Sequence, residues 1–122
     1  MEKYYEAILL NELDATLKVY MTNAQFYKIG LYTLDTVNRL LIYNNEPEHL
    51  TRKETYVMVY FAANLNQVVL RADLLQSIWI DSTHQNSRSL DVYICKMRKL
   101  LSKDPAIYIV NVHGKGYRMV VR

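Results

Sequence analysis

The sequence predicts an α+β fold, with strands and helices segregated along the chain, and three features carry that prediction. Residues 26 to 51 fall into short alternating runs, "FYKIG", "LYTLD" and "RLLIYNN", interrupted by Gly30, "DTVN" and "NNEPE", the texture of a small antiparallel sheet. "LTRKETYVMVYFAANLN" then places Glu54 three residues after Thr51, a capping-box spacing that opens an apolar helical run. The chain closes on "AIYIVNVHGKGYRMVVR", two β-rich runs around a glycine pair that permits the positive φ of a hairpin tip.

The remaining elements follow in order. Residues 2 to 21 read as a helix with Leu9, Leu13, Leu17 and Tyr20 on one stripe. Pro47 is expected in a turn, where its fixed φ is an asset. "VVLRADLLQSIW" reads as a shorter helix after a turn at "NLNQ", with Trp79 a core anchor at its end. The polar "IDSTHQN" forms a loop, after which Ser87 or Asn86 caps a helix over residues 87 to 103. Asp104 and Pro105 end that region, because a residue before proline is pushed out of the helical basin. Helix, small sheet, three helices and hairpin is a layout that suits a helix-turn-helix with a wing.

A chain of 122 residues is the size of one domain. Apolar residues make up 51% and charged residues 22%, yet no run approaches the 18 or so consecutive apolar positions of a membrane span. The N-terminus lacks the basic leader and apolar block of a signal peptide, so a cytoplasmic protein is expected. The single cysteine, Cys95, excludes an internal disulfide and fits a reducing compartment.

Charge is distributed unevenly. Residues 1 to 50 carry four Lys/Arg against seven Asp/Glu, residues 51 to 86 three of each, and residues 87 to 122 eight Lys/Arg against Asp91 and Asp104. The positive excess therefore lies in the last third. Such asymmetry points to a polyanionic partner, nucleic acid first and an anionic membrane surface second, although a solvated face fits the charge alone equally well.

The helix at 87 to 103 sharpens the choice. Leu90, Ile94, Met97 and Leu101 form one buried stripe, while Arg88, Ser89, Val92, Cys95, Lys96, Lys99 and Lys103 collect on the opposite face. Asp91 falls to the side and Tyr93 lies on the flank. That face has no compensating acid, and it displays Val92 and the neighbouring Tyr93, which a merely solubilising surface has little reason to do. Arg and Lys neutralise phosphates or reach guanine edges, and Val92 is suited to a thymine methyl. Asn111, His113, Lys115 and Arg118 at the hairpin are placed to meet adjacent backbone or minor groove.

No GxxxxGK[ST], GxGxxG, GxSxG, HExxH or CxxC motif is present. His49, His84 and His113 fall in separate turns or loops, and Gly114 and Gly116 lead into a β run rather than a helix N-terminus. An enzyme is not expected, nor is a metal or cofactor.

Together, "LTRKE", "VVLRADLLQSIW", "SRSLDVYICKMRKLL", "DP" and "VNVHGKGYR" resemble the DNA-binding domain of OmpR/PhoB-type response regulators. The resemblance covers residues 26 to 122 and implies a winged helix-turn-helix with an N-terminal four-stranded antiparallel sheet, three helices and a C-terminal β-hairpin wing. It implies a transcription factor that binds double-stranded DNA through a recognition helix starting near Ser87, with "VHGKGY" as its wing. Carried over by position, Arg88 and Ser89 become phosphate contacts, Val92, Tyr93 and Lys96 base-reading positions, and Arg98 and Arg71 backbone contacts. His113 and Tyr117 fall at the wing. RNA polymerase is an implied partner through the loop from Trp79 to Asn86, as is a second copy of the chain on DNA.

Three positions depart from the family pattern. Cys95 stands where relatives commonly carry a basic residue, Leu70 occupies the usual Ser cap of the second helix, and Tyr93 replaces a commoner His or Gln. The family's receiver domain is not expected within these 122 residues, so the chain is read either as the C-terminal part of a longer regulator, with a sensor histidine kinase as partner in that case, or as a stand-alone protein. Residues 1 to 25 are expected to form a helix and linker, and "NELDATLKVYM" weakly resembles the last helix of a receiver. A helix that packs on the sheet, or pairs with another copy, is the alternative. The rival to DNA binding is a winged-helix module that binds proteins instead.

Overall fold

The computed structural model describes residues 14–79 and 83–122. It begins with helix α1 (Ala15–Asn23), whose N-cap Asp14 accepts from the Thr16 amide at 2.8 Å. Leu9 and Leu13 of the expected apolar stripe lie outside the described residues, but Leu17 is fully buried and Tyr20 meets Tyr60 edge-on at 5.2 Å. This helix packs on the domain's core, and its cap at Asp14, where the backbone is extended, breaks the single helix expected over residues 2 to 21.

A meander follows, of β1 (Phe26–Ile29), β2 (Tyr32–Asp35), β3 (Leu40–Tyr43) and β4 (Glu46–His49), all antiparallel neighbours. Local turn chemistry sets each connection. Gly30 takes φ +54 in the first turn, and Asn44 and Asn45 take φ 50 and 64 in the third, as a two-residue hairpin turn twisted to match its strands requires. At the second turn, the Asp35 carboxylate accepts from the Val37 and Asn38 amides at 3.1 and 3.0 Å. Pro47 corrects the sequence reading: it lies within β4, opposite Ile42, rather than in the turn. Strand β4 is one of the two edge strands of its sheet, where a proline's missing N–H is tolerated.

Helix α2 (Arg52–Ala62) carries the full capping box, with the Glu54 amide donating to Thr51 Oγ1 at 3.2 Å and the Thr51 amide to Glu54 Oε1 at 2.7 Å. Its Val57, Met58 and Phe61 are buried at the centre of the domain. The segment read as one helix over "VVLRADLLQSIW" divides in two. Val68–Leu70 is a strand, β5, and only Arg71–Leu74 is α-helical, as α3, continuing into a π-helical turn at Leu75–Trp79. An apolar triplet is ambiguous between strand and helix on periodicity alone; here pairing with the distant β7 (Gly116–Val121) decides it.

Helix α4 (His84–Leu100) also starts earlier and ends sooner than the sequence suggested. Its cap is Thr83, whose hydroxyl accepts from the Asn86 amide at 3.2 Å, so Asn86 and Ser87 lie inside the helix and His84 in its first turn. The expected loop from Trp79 to Asn86 is shortened accordingly; residues 80–82 of it lie outside the described residues. The buried stripe is as read: Leu90, Ile94, Met97 and Leu101 are each at most 2% exposed, and each contributes roughly 2 kcal/mol by leaving water.

The chain ends in the hairpin of β6 (Ile107–Val112) and β7, which β5 extends into a three-stranded sheet of order β5, β7, β6. Only Gly114 uses a positive φ at the tip. Gly116 serves a different need: a Cβ there would stand 2.8 Å from the Arg71 nitrogen and collide with the Val69 carbonyl. The family-implied four-stranded sheet and C-terminal wing are therefore both present. Among the described residues, no helix is long and apolar enough to cross a membrane.

A candidate nucleic-acid interface

Burying one stripe of α4 forces its opposite face outward. Arg88, Val92, Cys95, Lys96 and Lys99 are exposed, and Ser89 is partly so. Val92 is 54% exposed, an apolar side chain set among cations. Arg88, Lys96 and Lys99 form no salt bridge among the described residues. A surface of this kind offers an anion charge, donors and one apolar contact at once.

The flank of the helix is more ordered. Tyr93 meets Trp79 edge-on at 5.4 Å, and Lys96 Nζ lies 4.7 Å from the Tyr93 ring centre. Trp79 is 9% exposed, in line with an anchor role, and Lys53 Nζ stands 5.1 Å from its ring centre. Arg98 faces the wing strand: its Nε and Nη2 donate to the Ile109 carbonyl at 3.2 and 2.9 Å, tying α4 to β6.

His113, Gly114 and Lys115 form the exposed tip of the wing, with Asn111 and Arg118 exposed on its strands. Lys115 also does structural work through its backbone, because its carbonyl accepts from the Arg71 amide at 2.9 Å. That bond addresses the weakness expected at Leu70, which caps α3 without any side-chain hydrogen bond. The wing supplies from its own main chain a partner for an amide at the helix start.

Between α3, α4 and the wing lies a shallow groove lined by Arg71, Ser87, Asn111, Lys115 and Tyr117. Arg71 and Tyr117 are drawn inward there. The Arg71 guanidinium donates to Asp91 Oδ1 at 2.7 Å, to Tyr117 OH at 2.9 Å, and to the Ser87 hydroxyl and carbonyl. The Tyr117 hydroxyl, in a residue 7% exposed overall, donates in turn to Asp91 at 2.8 Å. The Arg71 hydrogen bond holds the Asp91 carboxyl below its ordinary range, and burial with the adjacent carboxylate pushes the Tyr117 phenol up.

Sequence reasoning singled out neither Ser87 nor Asp91 for this cluster, since its members are far apart in the chain. The available signal was Asp91 itself, the sole acid in an otherwise basic helix. Among the described residues no group of three or more His, Cys, Asp or Glu side chains is placed to hold a metal ion.

Residues 45–119 match the family model described as "Transcriptional regulatory protein, C terminal". The chain is 43% identical over 94 residues to the transcriptional regulatory protein RprY of Bacteroides fragilis, covering 77% of this chain and 40% of that protein. It therefore spans about two-fifths of the length of that relative. The DNA-binding domain of Klebsiella pneumoniae RstA, solved in complex with its RstA box, has 28% identity and a TM-score of 0.67, over 80% of this chain and 98% of that one. The response regulator DrrB, a Thermotoga maritima OmpR/PhoB homologue, has 27% identity and a TM-score of 0.68, over 87% of this chain and 50% of that one. On its sheet, its wing and these matches, the chain belongs to the OmpR/PhoB-type family of transcriptional regulatory protein C-terminal domains.

Proposed function

We propose that this chain is a sequence-specific, double-stranded DNA-binding transcriptional regulator, the output domain of a two-component response regulator, that sets α4 in the major groove with the wing alongside. The observation that carries the reading is the exposed face of α4, where Arg88, Lys96 and Lys99, without a salt bridge among the described residues, lie beside a half-exposed Val92. The similar RstA domain, solved in complex with its RstA box, supports DNA binding, and the helix-in-groove docking follows from the winged helix-turn-helix layout.

In this reading Val92, Tyr93 and Lys96 read base edges. Arg88, Ser89, Lys99, His113 and Lys115 contact the phosphate backbone, and Arg98 contributes there through N–H groups not bound to Ile109. A second copy of the chain occupies an adjacent half-site. RNA polymerase meets the segment from Trp79 to Asn86, and a sensor histidine kinase becomes a partner where a receiver domain shares the polypeptide.

Selection of bound duplex from a random pool gives the site, and titrations then test the roles. Log affinity falls linearly with log salt, with a slope of about −0.9 for each phosphate neutralised. Lys96→Ala lowers affinity for the selected site by about tenfold or more and for a scrambled duplex far less. Equal losses on both duplexes would remove Lys96 from base reading. No binding of random duplex at micromolar protein and low salt would favour a protein-interaction module instead.

A further inference from the structure

Arg71 faces the proposed DNA surface, yet its guanidinium has nothing left to offer a phosphate. It makes five hydrogen bonds, to Ser87 Oγ from both Nε and Nη2 at 3.1 and 2.6 Å, to the Ser87 carbonyl at 2.6 Å, to Asp91 at 2.7 Å and to Tyr117 at 2.9 Å. A guanidinium has five N–H groups, so its donor set is fully used inside the protein. The acceptors come from α4 and β7, while Arg71 itself opens α3, and its amide bonds to the Lys115 carbonyl at the wing tip.

The charges matter as much as the bonds. The Asp91 side chain is 56% exposed on the helix proposed to enter the groove, where a bare carboxylate would repel phosphates. Arg71 is its partner among the described residues, at 2.7 Å, and Tyr117 donates to the same oxygen.

We propose that Arg71 is a positioning residue: with Ser87, Asp91 and Tyr117 it fixes the wing against α4 and cancels the Asp91 charge on the DNA-facing surface, without itself contacting phosphate. This rests on the DNA-binding reading above. Arg71 then acts on affinity through Asp91, and deleting both charges together is far milder than deleting Arg71 alone. A phosphate-binding arginine behaves in the opposite way, since nothing done at Asp91 replaces it.

The test uses the full chain with its selected duplex and a random duplex. Arg71→Gln is expected to weaken binding about tenfold by unmasking Asp91, and Arg71→Gln with Asp91→Asn to recover most of that loss. The salt slope of the double variant is expected to equal that of the wild type. A slope shallower by about 0.9, the signature of one lost phosphate contact, together with no recovery on adding Asp91→Asn, would overturn the proposal while leaving DNA binding intact. Absence of duplex binding by the wild-type chain overturns the DNA reading and this proposal with it.

Because Arg71→Gln could loosen the fold, a measurement on the wild type stands beside it. In a nitrogen-15 correlation spectrum the Arg71 Nε–H resonance is expected to exchange slowly with water and to hold its position when duplex is added. A DNA-induced shift as large as that of the Arg88 side chain would refute the positioning role.

Discussion

The two sheets of this domain are built on opposite principles. In the first, each of β1 to β4 pairs with its sequence neighbour, and the connections turn on local chemistry at Gly30, the Asp35 carboxylate and the Asn44–Asn45 pair at positive φ, with one long-range bond from the Leu31 amide to Asp104 added at the first turn. In the second, β5 pairs with β7 across most of the helical region, so that Val69 lies opposite Tyr117. That pairing depends on tertiary devices. The Asn66 amide donates to the Met119 carbonyl at 2.8 Å, the Val121 amide donates to Asn66 Oδ1 at 3.1 Å, and Arg71 bonds to Lys115 through its backbone. The difference separates scaffold from function: a locally closed meander supports the core, whereas the long-range sheet holds the wing at a set position beside α4. Loop-closure entropy makes the second arrangement costlier and more sensitive to single atoms.

The largest effect is therefore expected at Gly116. An added Cβ would collide with the Val69 carbonyl and stand 2.8 Å from the Arg71 nitrogen and 3.0 Å from the Leu70 Cα, all main-chain atoms unable to swing aside. Gly116→Ala should destabilise by about 3 kcal/mol or detach β5 from β7, the upper range for overpacking a closed interior. Gly114→Ala, two residues away, meets nothing within 4 Å and carries only the strain of φ +72, about 1 kcal/mol. Urea midpoints of the two variants decide the matter, and equal shifts would mean that the close approach of β5 does not govern the wing.

What the sequence made legible follows the same division. The Thr51–Glu54 capping box, the Leu90, Ile94, Met97 and Leu101 stripe and the turns at Gly30 and Asn44 depend on residues within a few positions of one another, and each is present as read. Val68–Leu70 went unread as a strand because its partner lies far along the chain and its apolar triplet runs into the helix that follows. The start of α4 differs from the reading because Thr83, Asn86 and Ser87 are all competent caps, and the helix begins after the first of them. At the candidate site, the exposed cations could be counted from sequence, since a buried stripe dictates its opposite face. The Arg71, Ser87, Asp91 and Tyr117 cluster could not, because its bonds join residues up to 46 positions apart.

A weaker perturbation at the first sheet tests whether local closure confers tolerance. Gly30 has φ +54, and a Cβ there would run into Asp104 Oδ2 and lie 3.1 Å from Ile107 Cδ1, both side-chain atoms able to yield. Asp104 accepts from the Leu31 amide at 2.8 Å, which ties this turn to the end of the helical region, and from the nearby Ala106 amide at 2.9 Å, so displacing it weakens both bonds. Gly30→Ala should cost about 2 kcal/mol, combining left-handed strain with the weakened bonds. It should leave duplex affinity at temperatures well below its midpoint unchanged, whereas Gly116→Ala should impair both stability and binding. Loss of binding by a folded Gly30→Ala variant would show that the first sheet is not merely scaffold.

The smallest expected effect lies at the ion pair beside the second sheet, and its sign is fixed by the titration of Asp91. Hydrogen bonding from Arg71, opposed by partial burial and aided by Tyr117, lowers the carboxyl's pKa in the folded chain. Its stabilisation is therefore complete above the unfolded carboxylate pKa of about 4 and disappears as pH falls through the lower, folded value. With the Arg71 and Asp91 side chains 30% and 56% exposed, solvent screening keeps the contribution within about 1 kcal/mol. Asp35 also titrates low, because hydrogen bonds from Asn38, Gln25 and Val37 together outweigh its larger burial effect, so part of the acid loss belongs to the first sheet. Urea midpoints measured from pH 6 to pH 2.5 should fall less steeply for Asp91→Asn than for the wild type, with the curves converging at the acid end. Coincident slopes would mean that the Arg71–Asp91 contact adds nothing to stability, and would leave its influence, if any, to the DNA-bound state alone.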